Sequence, residues 1–134
     1  MKNKVRACAI NLCVHSAAFT LLIGLNDIAH RLYKAWIGDF GSRGIASGSV
    51  TLLVILLFIG FNVLAAIIPL KAVKISLGVA FVLTTAWFLF PYHPLRAAFY
   101  CAAGGLLTFA AIFIASELNS LIANSATREH VKCT

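Results

Sequence analysis

VTLLVILLFIGFNVLAAIIPL, residues 50–70, is a run of 21 residues without one Asp, Glu, Lys or Arg. At ~1.5 Å rise per residue, a helix of ~20 residues crosses the ~30 Å hydrocarbon layer of a bilayer. Helices in soluble proteins average ~10–14 residues, and a buried one seldom runs this long without a charge. Three more stretches are equally free of charge: residues 7–25 (19), 75–90 (16) and 97–116 (20). The short one reaches 19 residues when it is extended back to Ala72, with Lys74 snorkelling to the headgroups. All 11 basic and 4 acidic residues fall outside the four charge-free stretches.

The whole-chain numbers agree. The 134 residues are 61% hydrophobic and 11% charged, against ~45–50% and ~25% in ordinary soluble domains. A soluble domain of this length keeps too much of its surface in water to hide so much apolar area. A disordered chain and a disulfide scaffold are excluded on the same figures. The expectation is an all-α polytopic membrane protein, one membrane domain over residues 1–134. Its spans are 7–25, 50–70, 72–90 and 97–118, with a connecting segment over 26–49 and a cytosolic tail over 119–134, frayed from Asn124 onward. The first span is read as an uncleaved anchor. Its apolar run exceeds the ~7–15 residues of a signal peptide, and no small-x-small cleavage site follows it.

Lys and Arg set the orientation. Four spans put both termini on one side, together with Lys2, Lys4, Arg6, Lys71, Lys74, Arg128 and Lys132. The opposite side holds Arg31, Lys34, Arg43 and Arg96. The richer side is expected to be cytosolic, in the inner (cytoplasmic) membrane of a bacterium. Tyr33, Trp36, Trp87, Tyr92 and Tyr100 all fall at the outer ends of spans and are expected to form one interfacial aromatic belt. The net charge of +7 is then a statement of orientation. Nucleic-acid binding would need a basic face or an aromatic-basic motif, and the chain has neither.

The connections differ in length. Lys71–Lys74 joins the second and third spans in a tight hairpin, with Pro69 in the last turn of the second helix. Pro91 and Pro94 stop the third helix and place Arg96 at the entrance to the fourth. The segment 26–49 is long enough for structure of its own. Ile28, Leu32, Tyr33, Trp36, Ile37 and Phe40 make a helical apolar stripe, which predicts a short amphipathic helix lying in the outer interface or packed on the bundle top. Residues 38–49, rich in Gly and Ser, read as a flexible linker into the second span.

Two helices have distinctive faces. On the fourth, Ala97, Cys101, Gly104, Thr108, Ala111 and Ala115 recur at spacings of 4, 3, 4, 3 and 4, a seam of small residues. Lipid supplies no hydrophobic drive between helices, so small residues are what let two backbones approach. The partner is a helix of the same chain, the favoured choice, or of another protomer. On the first, Cys8, Asn11, His15 and Asn26 share a ~60° sector at 100° per residue. An unpaired polar group in hydrocarbon costs several kcal/mol, so this face points inward. His15 is either a proton-relay or ligand-binding imidazole or a neutral histidine bonded to Asn62 or a serine at similar depth. Glu117, the one acid near a span, lies ~200° from Ala97. It is expected to pair with Lys71, Lys74 or Arg6 at the inner interface, or to act as a coupling carboxylate near Asn11 and His15.

Cys8, Cys13, Cys101 and Cys133 form no CxxC and no zinc spacing, and no metal or cofactor is expected. His30 and His93 sit in outer connections, where they would feel external pH. No nucleophile–base pair, Walker loop or dinucleotide fingerprint occurs, so an enzyme is not expected. The leading expectation is a small non-enzymatic membrane protein acting by helix–helix contact with another membrane protein. It would be a regulator of a sensor or transporter, or an immunity protein against a pore-forming toxin. The alternative is an oligomeric channel or carrier using Asn11, His15, Asn62 and Glu117. The partners implied are the lipid bilayer and another membrane protein or further copies of the chain.

Overall fold

The computed structural model describes the backbone of residues 2–37 and 44–132, and the side chains of residues 5–36 and 48–122. Four helices account for nearly all of it: α1 (Lys2–Ile37), α2 (Gly44–Ile67), α3 (Lys71–Leu89) and α4 (Pro94–Lys132). Each contains a window long and apolar enough to cross a membrane, within Val5–Trp36, Gly48–Ile67, Lys71–Leu89 and Pro94–Ile122. Among the described residues there is no strand.

The helices pack as a ring. Each of α2 and α4 lies against both α1 and α3, α2 and α4 approach narrowly across one diagonal, and among the described residues the backbones of α1 and α3 do not come close. Prolines set the two short turns. Pro69 cannot donate a backbone hydrogen bond and biases Ile68 away from helical angles, so α2 ends at Ile67 and α3 starts at Lys71. Pro69 thus lies between the helices, two residues past the end of α2 rather than in its last turn, and Lys71 and Lys74 belong to α3. Pro91 and Pro94 flank the other turn, where Tyr92 and His93 donate backbone N–H groups to Leu89 O at 3.2 and 2.7 Å. Pro94 is the first residue of α4, where its missing N–H costs nothing.

Two expectations about the ends of helices are corrected. The apolar stripe of Ile28, Leu32, Tyr33 and Trp36 is not a separate interfacial helix but the outer end of α1, which runs unbroken to Ile37; outer here denotes only the end of the bundle that carries the α3–α4 turn, and inner the end that carries the α2–α3 turn. A stripe with a 3.6-residue period reads the same whether the helix bends into the interface or continues straight, so periodicity alone does not locate a hinge. Phe40 and the rest of residues 38–43 lie outside the described residues, but Gly44–Ser49 is the first turn and a half of α2 rather than linker. At the other end, α4 continues to Lys132, so the tail is helical where fraying was expected. At 36 and 39 residues, α1 and α4 measure about 54 and 58 Å, well beyond the hydrocarbon layer.

The core is stacked in layers that follow helical spacing. In the centre, Ala18 and Leu22 of α1 meet Phe58 of α2, Phe81 of α3 and Ala111 of α4. Phe58 and Phe81 meet edge to face, centroids 5.5 Å apart at 80°, an arrangement that adds about 0.5–1.5 kcal/mol to burial alone. Toward the outer end, Val54, Leu89, Ala97 and Tyr100 form a second cluster. Gly104 is what lets α4 close on the phenyl rings. A Cβ there would sit 2.7 Å from Phe81 Cε1 and 2.9 Å from its Cζ. The small-residue seam of α4 is therefore spent inside this chain: Ala97, Gly104, Thr108, Ala111 and Ala115 are buried and Cys101 is half-buried.

Candidate functional site

Two groups of polar side chains interrupt this core, one on each side of the phenyl layer. The inner one gathers around Asn62. It is held within α2 by its own Nδ2, which donates to Phe58 O at 2.9 Å, and the same nitrogen donates to Thr108 Oγ1 of α4 at 3.2 Å. A carbonyl oxygen only accepts, so these bonds assign the amide: Nδ2 faces Phe58 and Oδ1 faces α1. His15 Nδ1 lies 2.7 Å from that Oδ1 and must carry the proton to donate to it. The imidazole's other nitrogen, Nε2, is buried with no hydrogen-bond partner among the described residues. In the neutral ring it is a bare acceptor. One turn closer to the inner end, Asn11 Nδ2 donates to Ala66 O at 3.2 Å and Asn119 Nδ2 donates to Asn11 Oδ1 at 3.0 Å.

The inner cluster thus binds α1, α2 and α4 through Asn11, His15, Asn62, Thr108 and Asn119. Asn119 was not anticipated, yet it stands four residues beyond Ala115 and is the next member of the α4 seam. Glu117 does not join the cluster. Its side chain is exposed, and among the described residues the ion pair within 4 Å is Arg31–Asp27 at 2.9 Å, so Glu117 pairs with neither Lys71, Lys74 nor Arg6. The 200° offset from the seam already turned it outward. Lys71 instead places Nζ 5.4 Å from the centre of the Phe113 ring, while Lys74 is buried. Cys8, although within the polar sector of α1, is exposed, as is Cys13. Among the described residues no group of three His, Cys, Asp or Glu is placed to hold a metal ion.

The outer polar group is centred on Tyr100. Its hydroxyl donates to Asn26 Oδ1 at 2.6 Å and lies 3.0 Å from Thr51 Oγ1, joining α4 to α1 and α2. Tyr100 is only 4% exposed. It is removed from the aromatic belt by this finding: its ring packs on Phe99, centroids 5.2 Å apart, and its hydroxyl turns to the bundle axis. A tyrosine near a span's end satisfies its hydroxyl at the headgroups or against a neighbouring helix, and the sequence gives depth but not direction. Trp36, Trp87 and Tyr92 are exposed, at 88, 81 and 81%, and Tyr33 is half-buried. Above the Tyr100 network opens a cavity of about 830 Å³ between α1, α2, the α3–α4 turn and the start of α4. Both outer histidines, His30 and His93, border it.

The protein is all-helical among the described residues, with four helices long and apolar enough to cross a membrane, consistent with a multi-pass membrane protein. No protein-family model, curated protein or solved structure matches the chain.

Proposed function

We propose that the chain is a small non-enzymatic protein of a bacterial inner membrane, both termini cytosolic, that works by helix–helix contact with another membrane protein, as a regulator or an immunity protein. The supporting observation is the outward face of α1. Ala9, Cys13, Ser16, Thr20 and Gly24 recur at spacings of 4, 3, 4 and 4, and every one is exposed. A Cβ built on Gly24 meets nothing within 4 Å. Small residues cover little lipid-facing area and are favoured where a second helix comes close. The equivalent seam on α4 is filled by the chain's own helices, so α1 carries the stripe left for a partner. The seven-to-four bias of basic residues supports the orientation.

The test is capture of the partner from detergent-solubilised membranes. Ser16→Leu with Gly24→Leu should release it while leaving the melting temperature of the isolated chain unchanged, because neither side chain touches the core. Retention of the partner by that variant overturns this choice of surface.

A channel or carrier built on the polar face of α1 has one observation in its favour, the unpartnered Nε2 of His15. Its test is flux through reconstituted protein that is lost in His15→Ala.

A further inference from the structure

We propose that the inner mouth of the bundle, where α3 begins, is a binding site for a phosphate head, held by the ammonium of Lys74 and the first backbone N–H groups of α3. Among the described residues Lys74 is the one Lys, Arg, Asp or Glu that is buried, at 7% exposure. A buried charge calls for a counter-charge and hydrogen-bond partners. Among the described residues Lys74 has neither: the ion pair within 4 Å is Arg31–Asp27, and its Nζ makes no hydrogen bond. Nor do the chain's four acids stand where they could supply the charge. Asp27 and Asp39 belong to the opposite end, since Ile37, two residues before Asp39, is about 33 Å along α1 from His15. Glu129 stands about 24 Å further along α4 than Phe113. Glu117 is nearer, but it is exposed and makes no ion pair within 4 Å.

The side chain of Lys74 runs toward the inner end. Gly78 lies against Phe109, a Cβ there falling 3.0 Å from its Cε1, so Lys74, one turn earlier, is level with Phe113. Helical side chains lean toward the N-terminus of their helix. The ammonium comes within electrostatic range of Cys8, which is about one turn nearer the inner end than Asn11. The N–H groups of Lys71, Ala72 and Val73 emerge at the same end of α3. The first N–H of the helix with a backbone acceptor is that of Lys74, to Leu70 O at 3.1 Å. Leu70 supplies no side-chain cap, and the first turn holds no acid. Lys71 adds a second ammonium, 5.4 Å from the centre of the Phe113 ring. The 19 residues of α3 measure about 28 Å, close to the ~30 Å hydrocarbon layer, so its first turn lies at headgroup depth. Phosphate oxygens accept from the N–H groups of a helix start and from a lysine together, and basic pockets between membrane helices bind lipid heads.

The phosphate has two sources, an anionic lipid of the leaflet at that end or a soluble phosphate, and the experiment has an arm for each. Full-length protein in a neutral detergent is offered an equimolar mixture of phosphatidylglycerol and phosphatidylcholine, and retained lipid is read by native mass spectrometry. In the second arm, sodium phosphate is titrated and the melting temperature is followed against sodium chloride of equal ionic strength. Preferential retention of phosphatidylglycerol, which identifies a lipid head, or saturable stabilisation by phosphate beyond the chloride control, which identifies a soluble one, is the expected result. Lys74→Gln should weaken binding at least about tenfold, the loss of one charge-assisted hydrogen bond. Arg6→Gln, an equal change of net charge on an exposed side chain outside the site, should leave it nearly unaltered. Lys71→Pro tests the backbone donors: the first helical position accepts proline, and the extended Leu70, at ψ 116°, suits the residue before one. It keeps the helix start while removing one N–H and one ammonium, and binding should again fall. The proposal is overturned if neither arm shows a preference, if Lys74→Gln and Arg6→Gln weaken binding equally, or if the folded Lys74→Gln and Lys71→Pro variants bind as tightly as the parent.

Discussion

His15 and Asn62 meet at 2.7 Å between Nδ1 and Oδ1, and the amide's other bonds leave the histidine no choice of which nitrogen bears the proton. Side-chain hydrogen bonds between membrane helices are worth on average only ~0.6 kcal/mol, with a maximum near ~1.7. Leaving a buried donor without a partner costs more, about 1–3 kcal/mol. Asn62→Leu orphans the His15 N–H and should therefore destabilise by more than the coupling energy of the pair. His15→Leu added to it should recover part of the loss. A double-mutant cycle on reversible unfolding in mixed micelles measures both quantities. A double-variant loss equal to the sum of the two single losses would show that the pair is not coupled.

Gly104→Ala places a methyl 2.7 Å from Phe81 Cε1 and should cost about 1–3 kcal/mol, the usual range for overpacking. Phe81→Leu in that background removes the obstructing ring and should restore part of the stability. Gly60→Ala is the control. Its Cβ meets nothing within 4 Å, so it should be neutral or stabilising by up to ~1 kcal/mol, the helical advantage of Ala over Gly. Thermal unfolding of the three variants ranks them.

Tyr100→Phe removes the hydroxyl that joins Asn26 and Thr51 while keeping the ring on Phe99. The expected loss is about 0.5–1.5 kcal/mol. Cysteine accessibility at the outer ends of α1 and α2 should rise, because this hydroxyl links both to α4. Labelling of single cysteines introduced at Ala29 and Leu52, before and after the substitution, reads the effect.

Asp27→Pro distinguishes a continuous α1 from a hinged one. Inside an unbroken helix, proline removes a backbone bond and clashes with the preceding turn, at a cost of ~3 kcal/mol or more. At the first turn of a separate interfacial helix it would be tolerated. The exposed Arg31–Asp27 pair lost with it contributes at most ~0.5 kcal/mol. A clear fall in melting temperature is expected.

The spans were legible because lipid imposes one demand along ~20 successive residues, and charges mark where the demand ends. The depth of polar groups was legible too: His15 was placed level with Asn62 by counting residues from the inner ends of their helices. Direction around a helix was harder. The seam predicted which face of α4 is buried, and following it one step further would have reached Asn119. Glu117 drew attention by its charge, although its angle put it on the other side. Tyr100 shares its depth with the belt aromatics, and only packing against Thr51 and Asn26 tells it apart. The end of α1 was misjudged because a helical stripe looks alike in a straight helix and a bent one.

The phenyl layer of Phe58 and Phe81 also bears on the cell's energy supply. It lies between the His15–Asn62 group and the Tyr100–Asn26 group, and its contacts with Ala18, Leu22 and Ala111 are apolar throughout. To a proton or a sodium ion such a layer is an insulator, with no oxygen or nitrogen to replace lost hydration. If the bundle conducts no ions, overproduction should leave the membrane potential intact, whereas a fall in that potential would favour the channel or carrier.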